Sequence, residues 1–145
     1  MLVQAILKSK ATGGVVTVAP SRTVSEVAGI LAEKRIGTVV VSEDGGKTAS
    51  GILSERDIVR ELAASGSGCL SKPVSAYMTR ELVTATQQDT VQDIMSRMTE
   101  GRFRHMPVVE DGNLVGIVTL GDVVKAQLSE LAMEKDALEG MIMGH

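Results

Sequence analysis

The sequence predicts a mixed α+β fold, α/β-like in its alternation: two strand–helix–strand–strand–helix units related by a pseudo-twofold axis and packed through their sheets. Three observations predict it. The chain repeats itself at an offset of 67 residues that shortens to 65. Each copy switches between helix-period and strand-period hydrophobicity in the same order. A chain of 145 residues that is 43% apolar and 23% charged also has the burial capacity of a globular protein, where a disordered chain would be poorer in apolar residues.

The elements follow in order. The opening ten residues are a helical lead-in to the first unit, which spans 1–66. Val16-Thr17-Val18 begins it as a short strand and recurs as Val83-Thr84-Ala85. Thr23 and Glu26 form a Thr-x-x-Glu capping box ahead of Val24, Val27, Ala28 and Leu31, which share one helical face; Thr90, Val91, Asp93, Ile94, Met95 and Met98 repeat that helix. The β-branched runs Thr38 to Ser42 and His105 to Val109 end at Asp44-Gly45-Gly46 and Asp111-Gly112-Asn113, turn signals that make each a hairpin with the arms Ser50–Leu53 and Leu114–Val118. Helices near 55–64 and 120–130 start directly from those arms. Residues 67–73, small and polar, link the units; the second unit spans 74–130, and 131–145 extends its last helix. Val124, Leu128, Leu131, Leu138 and Ile142 form one apolar stripe along that helix, interrupted by Lys135 and suited to packing on a second subunit.

Composition excludes several functions. Phe103 and Tyr77 are the only aromatics and the net charge is −3, so neither base stacking nor a basic footprint supports nucleic-acid binding. No segment has the length and apolarity of a membrane span, and the opening residues lack the pattern of a secretion signal. Cys69 is the single cysteine, which leaves no disulfide framework and no thiolate metal cluster within the chain; a reducing, cytoplasmic setting fits, and Cys69 itself is a weak redox-sensor candidate. Met78, Met95, Met98 and Met106 read as core filler and the Met141, Met143, His145 tail as a flexible end, so no metal site is expected. His105 is the only internal histidine and no nucleophile elbow or carboxylate pair accompanies it, so no catalytic residues are assigned.

The residues that could bind a ligand lie where strands become helices. Ser54-x-x-Asp57 and Thr119-x-x-Asp122 are capping boxes by spacing, yet an aspartate in a first helical turn can also accept the two hydroxyls of a ribose beside free helix N–H groups. Both roles are compatible. Arg104-His105 puts a guanidinium next to an imidazole at a strand start, a pair suited either to phosphate or to solvent. Ile52 and Ile117 are strand-core residues or flat apolar contacts for a base.

Two stretches, Gly-Ile-Leu-Ser-Glu-Arg-Asp at 51–57 and Gly-Ile-Val-Thr-Leu-Gly-Asp at 116–122, together with Arg104-His105-Met106-Pro107-Val108, resemble the cystathionine-β-synthase (CBS) domain, found in tandem as a Bateman module. The resemblance covers about residues 1–130 and is that of a stand-alone, bacterial-type CBS-pair protein. It implies a regulatory, non-catalytic module that binds AMP, ADP, ATP, NAD or S-adenosylmethionine in clefts between the units, assembles as a disc-shaped homodimer, and signals to an effector protein. By the same resemblance Asp57 and Asp122 hold ribose, with Ser54 and Thr119 beside them, and Ile52 and Ile117 sandwich adenine. The Asp122 cleft would borrow Thr17 and Gly37-Thr38; the Asp57 cleft would borrow Thr84 and His105-Met106. Arg104 and His105 match the phosphate-contacting position. The first unit departs there, with Gly37-Thr38 for the basic pair and Val40 for Pro107, so the two clefts are expected to differ, with Arg56 a partial substitute. The alternatives are a structural dimerisation module with vestigial clefts and the regulatory insert of an enzyme such as IMP dehydrogenase.

Overall fold

The computed structural model describes residues 1–10 and 15–142. The elements run α1 (Val3–Ser9), β1 (Thr17–Val18), α2 (Val24–Lys34), β2 (Thr38–Val41), β3 (Gly51–Ser54), α3 (Glu55–Ser65), α4 (Val91–Gly101), β4 (His105–Glu110), β5 (Asn113–Thr119) and α5 (Leu120–Ile142). α2 and α4 begin alike: Thr23 Oγ1 accepts from the Glu26 N–H and Thr90 Oγ1 from the Asp93 N–H, both at 3.1 Å. They also end alike. Arg35 and Arg102 take left-handed φ values of 54° and 56°, and their N–H groups return to Leu31 and Met98. A left-handed C-cap without glycine is uncommon, and its recurrence at one offset marks the repeat in the backbone itself.

β2 and β3 pair antiparallel from Thr38↔Ser54 to Val41↔Gly51, and β4 and β5 from His105↔Thr119 to Glu110↔Asn113 with an irregularity at Val108/Val109. β1 adds a parallel strand beside β2. The expected counterpart, Val83-Thr84-Ala85, shrinks to the single bridge Ala85↔Val108, so the second sheet has two strands. The cause is one residue. In the first unit the Val40 N–H donates to the Val16 carbonyl at 3.1 Å; the equivalent of Val40 is Pro107, which has no N–H, and the ladder cannot extend to Val83.

Each core is closed by a segment from the other half. The core of the first unit, with Val24, Val27, Leu31, Val39, Val41 and Leu53, is completed by Val74 and Met78; that of the second, with Val91, Ile94, Met98, Met106, Val108 and Val118, by Val3 and Ile6 of α1. The hydrogen bonds repeat with it. Val3 N donates to Asp89 O and Val91 N to Met1 O, at 2.9 and 3.0 Å; Val74 N donates to Arg22 O and Val24 N to Lys72 O, at 2.8 and 3.0 Å. Each lead-in presses on a strand glycine, Met78 on Gly51 and Leu7 on Gly116. Residues 67–73, expected as a polar linker, are drawn into this closure. Gly66–Ser71 and Val74–Ala76 form 3₁₀ turns, Leu70 packs on the first core, and Cys69 is buried. The thiol is thereby shielded from solvent oxidants.

α5 runs unbroken to Ile142, so the expected extension is continuous with the second unit's last helix. Residues 143–145, including Met143 and His145 of the tail, lie outside the described residues.

The glycine contacts make a prediction. A Cβ on Gly51 would stand 2.6 Å from Met78 Sδ and 3.0 Å from the Thr79 carbonyl oxygen, a backbone atom that cannot swing aside. On Gly116 its three nearest neighbours would all be atoms of the Leu7 side chain, the closest at 2.7 Å. Gly51→Ala should therefore cost about 1–3 kcal/mol in urea denaturation, as overpacking does, and Gly116→Ala less. Equal stability of Gly51→Ala and wild type would contradict this packing.

Candidate functional site

Both hairpins end at the same level, where β3 passes into α3 and β5 into α5 with no intervening residue. The two paired rows Thr38↔Ser54 and His105↔Thr119 therefore stand at one rim. Between them lies a cleft of about 890 Å³, large enough for a drug-sized or nucleotide-sized ligand.

The structure brings nine of the sequence-predicted residues to that cleft: Gly37, Thr38, Ile52, Ser54, Arg56, Asp57, Arg104, His105 and Thr119. The capping box at Asp57 is real. Ser54 Oγ accepts from the Asp57 N–H at 3.2 Å, and Asp57 Oδ2 accepts from the Ser54 N–H and hydroxyl at 2.9 and 3.0 Å. Both bonds to the carboxylate use Oδ2. Among the described residues Oδ1 meets only the Arg60 guanidinium, at 3.6 Å, and retains acceptor capacity for a ligand hydroxyl. Thr38 is 7% exposed, and its Oγ1 has no hydrogen-bond partner among the described residues. A buried hydroxyl without a partner in a cleft wall is an open position for one.

The other predicted residues do not join this lining. Met106 is fully buried in the second core, half-buried Thr17 sits in β1, and Thr84 is exposed. Asp122 and Ile117 are engaged by Lys10, whose Nζ donates to Asp122 Oδ2 and to the Ile117 carbonyl, each at 2.9 Å. In the first unit the equivalent carboxylate, Asp57, has only the longer Arg60 contact at 3.6 Å among the described residues. Ile52 exchanges backbone hydrogen bonds with Thr79, at 3.0 and 2.9 Å, and Asp57 faces the cleft. Burial alone would raise the Asp122 pKa; hydrogen bonds from Lys10 and Thr119, with the Lys10 charge, outweigh it and hold the carboxyl below its ordinary value. The His105 pKa is lowered as well. Burial lowers its pKa, the charges of Arg104 and Lys10 adding to that and those of Glu55 and Asp122 opposing it, so the site disfavours the imidazolium and Arg104 is the permanent charge of the pair.

Sequence reasoning missed part of the lining. Arg60 and Lys125 both face the cleft. They were legible in principle, because each lies three residues after its aspartate, one helical turn along the same face. Arg102, Thr79, Glu81, Leu82 and Val83, also in the lining, had no local signal. Among the described residues no cluster of His, Cys, Asp and Glu is placed to hold a metal ion, and no helix is long and apolar enough to cross a membrane.

Two pseudo-symmetric units around a cleft, with an aspartate in the capping turn of each strand–helix junction, define a tandem-repeat module. The CBS domain model matches residues 7–64 and 74–129, and the chain belongs to the CBS domain family. It is 35% identical over 123 residues to the CBS domain-containing protein YhcV of Bacillus subtilis, covering 85% of this chain and 86% of that protein. It is 34% identical over 145 residues to the mitochondrial CBS domain-containing protein CBSX3 of Arabidopsis thaliana, covering 96% and 70%. Among solved structures, the CBS-domain protein ATU1752 of Agrobacterium tumefaciens superposes with a TM-score of 0.82 at 42% identity, over 88% of this chain and 99% of that one. PAE2072 of Pyrobaculum aerophilum, solved with AMP, superposes with a TM-score of 0.78 at 29% identity, over 92% and 99%. The CBS pair of MJ0100, solved with 5′-methylthioadenosine and S-adenosyl-L-methionine, gives 0.78 at 27%, over 90% and 98%.

The Lys10–Asp122 pair has a pH signature. Because the folded carboxyl titrates below its ordinary value of 3.8, its stabilisation is present above that pH and is lost as pH falls through the lowered folded value. Lys10→Met should cost about 1 kcal/mol at neutral pH, with the gap to wild type closing in acid below the carboxylate range. A gap independent of pH in thermal melts from pH 7 to pH 2.5 (about the range that spans carboxylate titration) would show that Lys10 acts only by packing.

Proposed function

We propose that this chain is a regulatory module that senses an adenine-containing ligand, from the group AMP, ADP, ATP, NAD and S-adenosylmethionine, and signals its presence to an effector protein. The observation that carries the reading is the convergence, in one open cleft, of Asp57 Oδ1 and the unpartnered Thr38 hydroxyl from the first unit with Arg104 and His105 from the second. Asp57 takes the ribose, Ile52 packs on the base, and Arg104 meets phosphate. Related CBS pairs were solved with AMP or with S-adenosylmethionine, which supports an adenosine-type ligand. The role is regulatory: a ligand held by both units favours the relative orientation for which it has higher affinity, and that difference is the signal. The single cysteine supports a reducing, cytoplasmic setting.

The two aspartates are not equivalent in this reading. The Asp122 carboxylate and Ile117 carbonyl already hold Lys10, so the ligand enters at Asp57. α5 provides the outlet. Its Val124 and Leu128 line the cleft, and the same helix continues with Leu131, Leu138 and Ile142 exposed at 51%, 59% and 84%. We assign that stripe to a homodimer contact, which couples the occupied cleft to the assembly.

Two experiments check these assignments. In a thermal shift series with AMP, ATP, NAD and S-adenosylmethionine, a binding ligand at a hundred times its Kd should add about 2.7 kcal/mol of stability. Asp57→Ala should lose the carboxylate half of the capping box, worth about 0.5–2 kcal/mol, and the ligand response as well, whereas Asp122→Ala should retain the response. No response of the wild type to any ligand would favour a structural dimerisation module. For the outlet, truncation after Ser129 should weaken the dimer at least tenfold in sedimentation equilibrium, and an unchanged dimer would refute the contact.

A further inference from the structure

The cleft is basic in a chain that is acidic overall. Its lining carries Arg56, Arg60, Arg102, Arg104 and Lys125 against the carboxylates Glu55, Asp57 and Glu81, while the chain's net charge is −3. These cations come from three separate places, α3, the α4–β4 junction and α5, and meet only at the cleft. Arg60 and Lys125 are each other's counterparts in the repeat and face it from the two units. Among the described residues Arg56, Arg102, Arg104 and Lys125 form no ion pair, and Arg60 has only its long contact to Asp57. Gathering like charges in one concavity without partners is unfavourable unless an anion occupies it. One phosphate group is matched by Arg104 with a His105 ring donor, which leaves Arg102 and Lys125 without a counter-charge and Arg60 with only its 3.6 Å contact to Asp57.

Resting on the adenine-ligand reading above, we propose that the cleft selects ligands with two or more linked phosphates, a nucleoside di- or triphosphate or a dinucleotide diphosphate. Arg60, Arg102 and Lys125 are the residues that read the phosphates beyond the first. Each further phosphate adds negative charge and acceptor oxygens for those side chains. A sulfonium ligand brings positive charge to the same rim and is disfavoured, and an uncharged thioether nucleoside gains nothing from it.

Calorimetric titration of the wild type with ATP, ADP, AMP, S-adenosylmethionine and 5′-methylthioadenosine tests this, beside Lys125→Gln and Arg102→Gln. The variant positions are exposed, and thermal melts without ligand verify their folding. ATP and ADP should bind at least tenfold more tightly than AMP, and S-adenosylmethionine most weakly. Each variant should lose about tenfold in ATP affinity, the size of one charge-assisted hydrogen bond, and less than about twofold for AMP. The salt dependence of ATP binding should also become shallower in each variant. If S-adenosylmethionine or 5′-methylthioadenosine binds as tightly as ATP, or the variants weaken ATP and AMP equally, the selectivity is wrong while the adenine-ligand reading stands. If none of the five binds, that reading falls and the selectivity with it.

Discussion

The structure depends on an exchange. Each half lacks part of its own core and receives it from the other: Val3 and Ile6 enter the second unit's core, and Val74 and Met78 enter the first's. Burying such side chains is worth about 1.5–3 kcal/mol each, so a half without its visitor would lose a large share of a small domain's stability. The backbone bonds Val3–Asp89 and Val74–Arg22 fix each visiting segment in register. Gly51 and Gly116 admit Met78 and Leu7 because neither has a Cβ. The two units are therefore one folding entity, and their relative placement follows from the same contacts that stabilise them.

That placement makes the cleft. Since both lead-ins cross between halves, the two hairpin ends are held at one rim, and Thr38, Ser54 and Asp57 come to face Arg104 and His105. Small differences between the copies then break the symmetry. Pro107 removes one N–H and shortens the second sheet, whereas Val40 keeps it. Lys10, just beyond α1, answers Asp122 and the Ile117 carbonyl; in the first unit the corresponding backbone is paired with Thr79. One chain thus presents two unlike aspartates, Asp122 closely paired with Lys10 and Asp57 in a longer contact with Arg60.

Much of this was legible in the sequence, and the reasons are local. The Thr-x-x-Glu and Ser-x-x-Asp spacings locate helix starts because a cap involves only four consecutive residues, and Thr23, Thr90, Ser54 and Thr119 all perform it. The Asp-Gly turn between β4 and β5 is read the same way, with Asp111 and Gly112 both at positive φ. What escaped was set by partners distant in the chain. The residues around Cys69 read as a linker because nothing nearby signals that Leu70 packs on a core made mostly of earlier residues. Lys10 carries no pattern that points across more than a hundred residues to Asp122. The loss of the strand at Val83 followed from Pro107 alone, once the strand pairing was known.

The central claim is that the exchanged lead-ins bind the two units into a single cooperative structure, and hydrogen exchange of the native protein tests it most directly. Core amides of each unit, Val39 and Val41 in β2 and Met106 and Val118 in β4 and β5, should exchange through one global opening, with the same free energy and the same dependence on urea. A second, lower-energy opening that exposes one unit's strands while the other's stay protected would contradict the account, because it would mean that a half keeps its core without the segment the other half supplies.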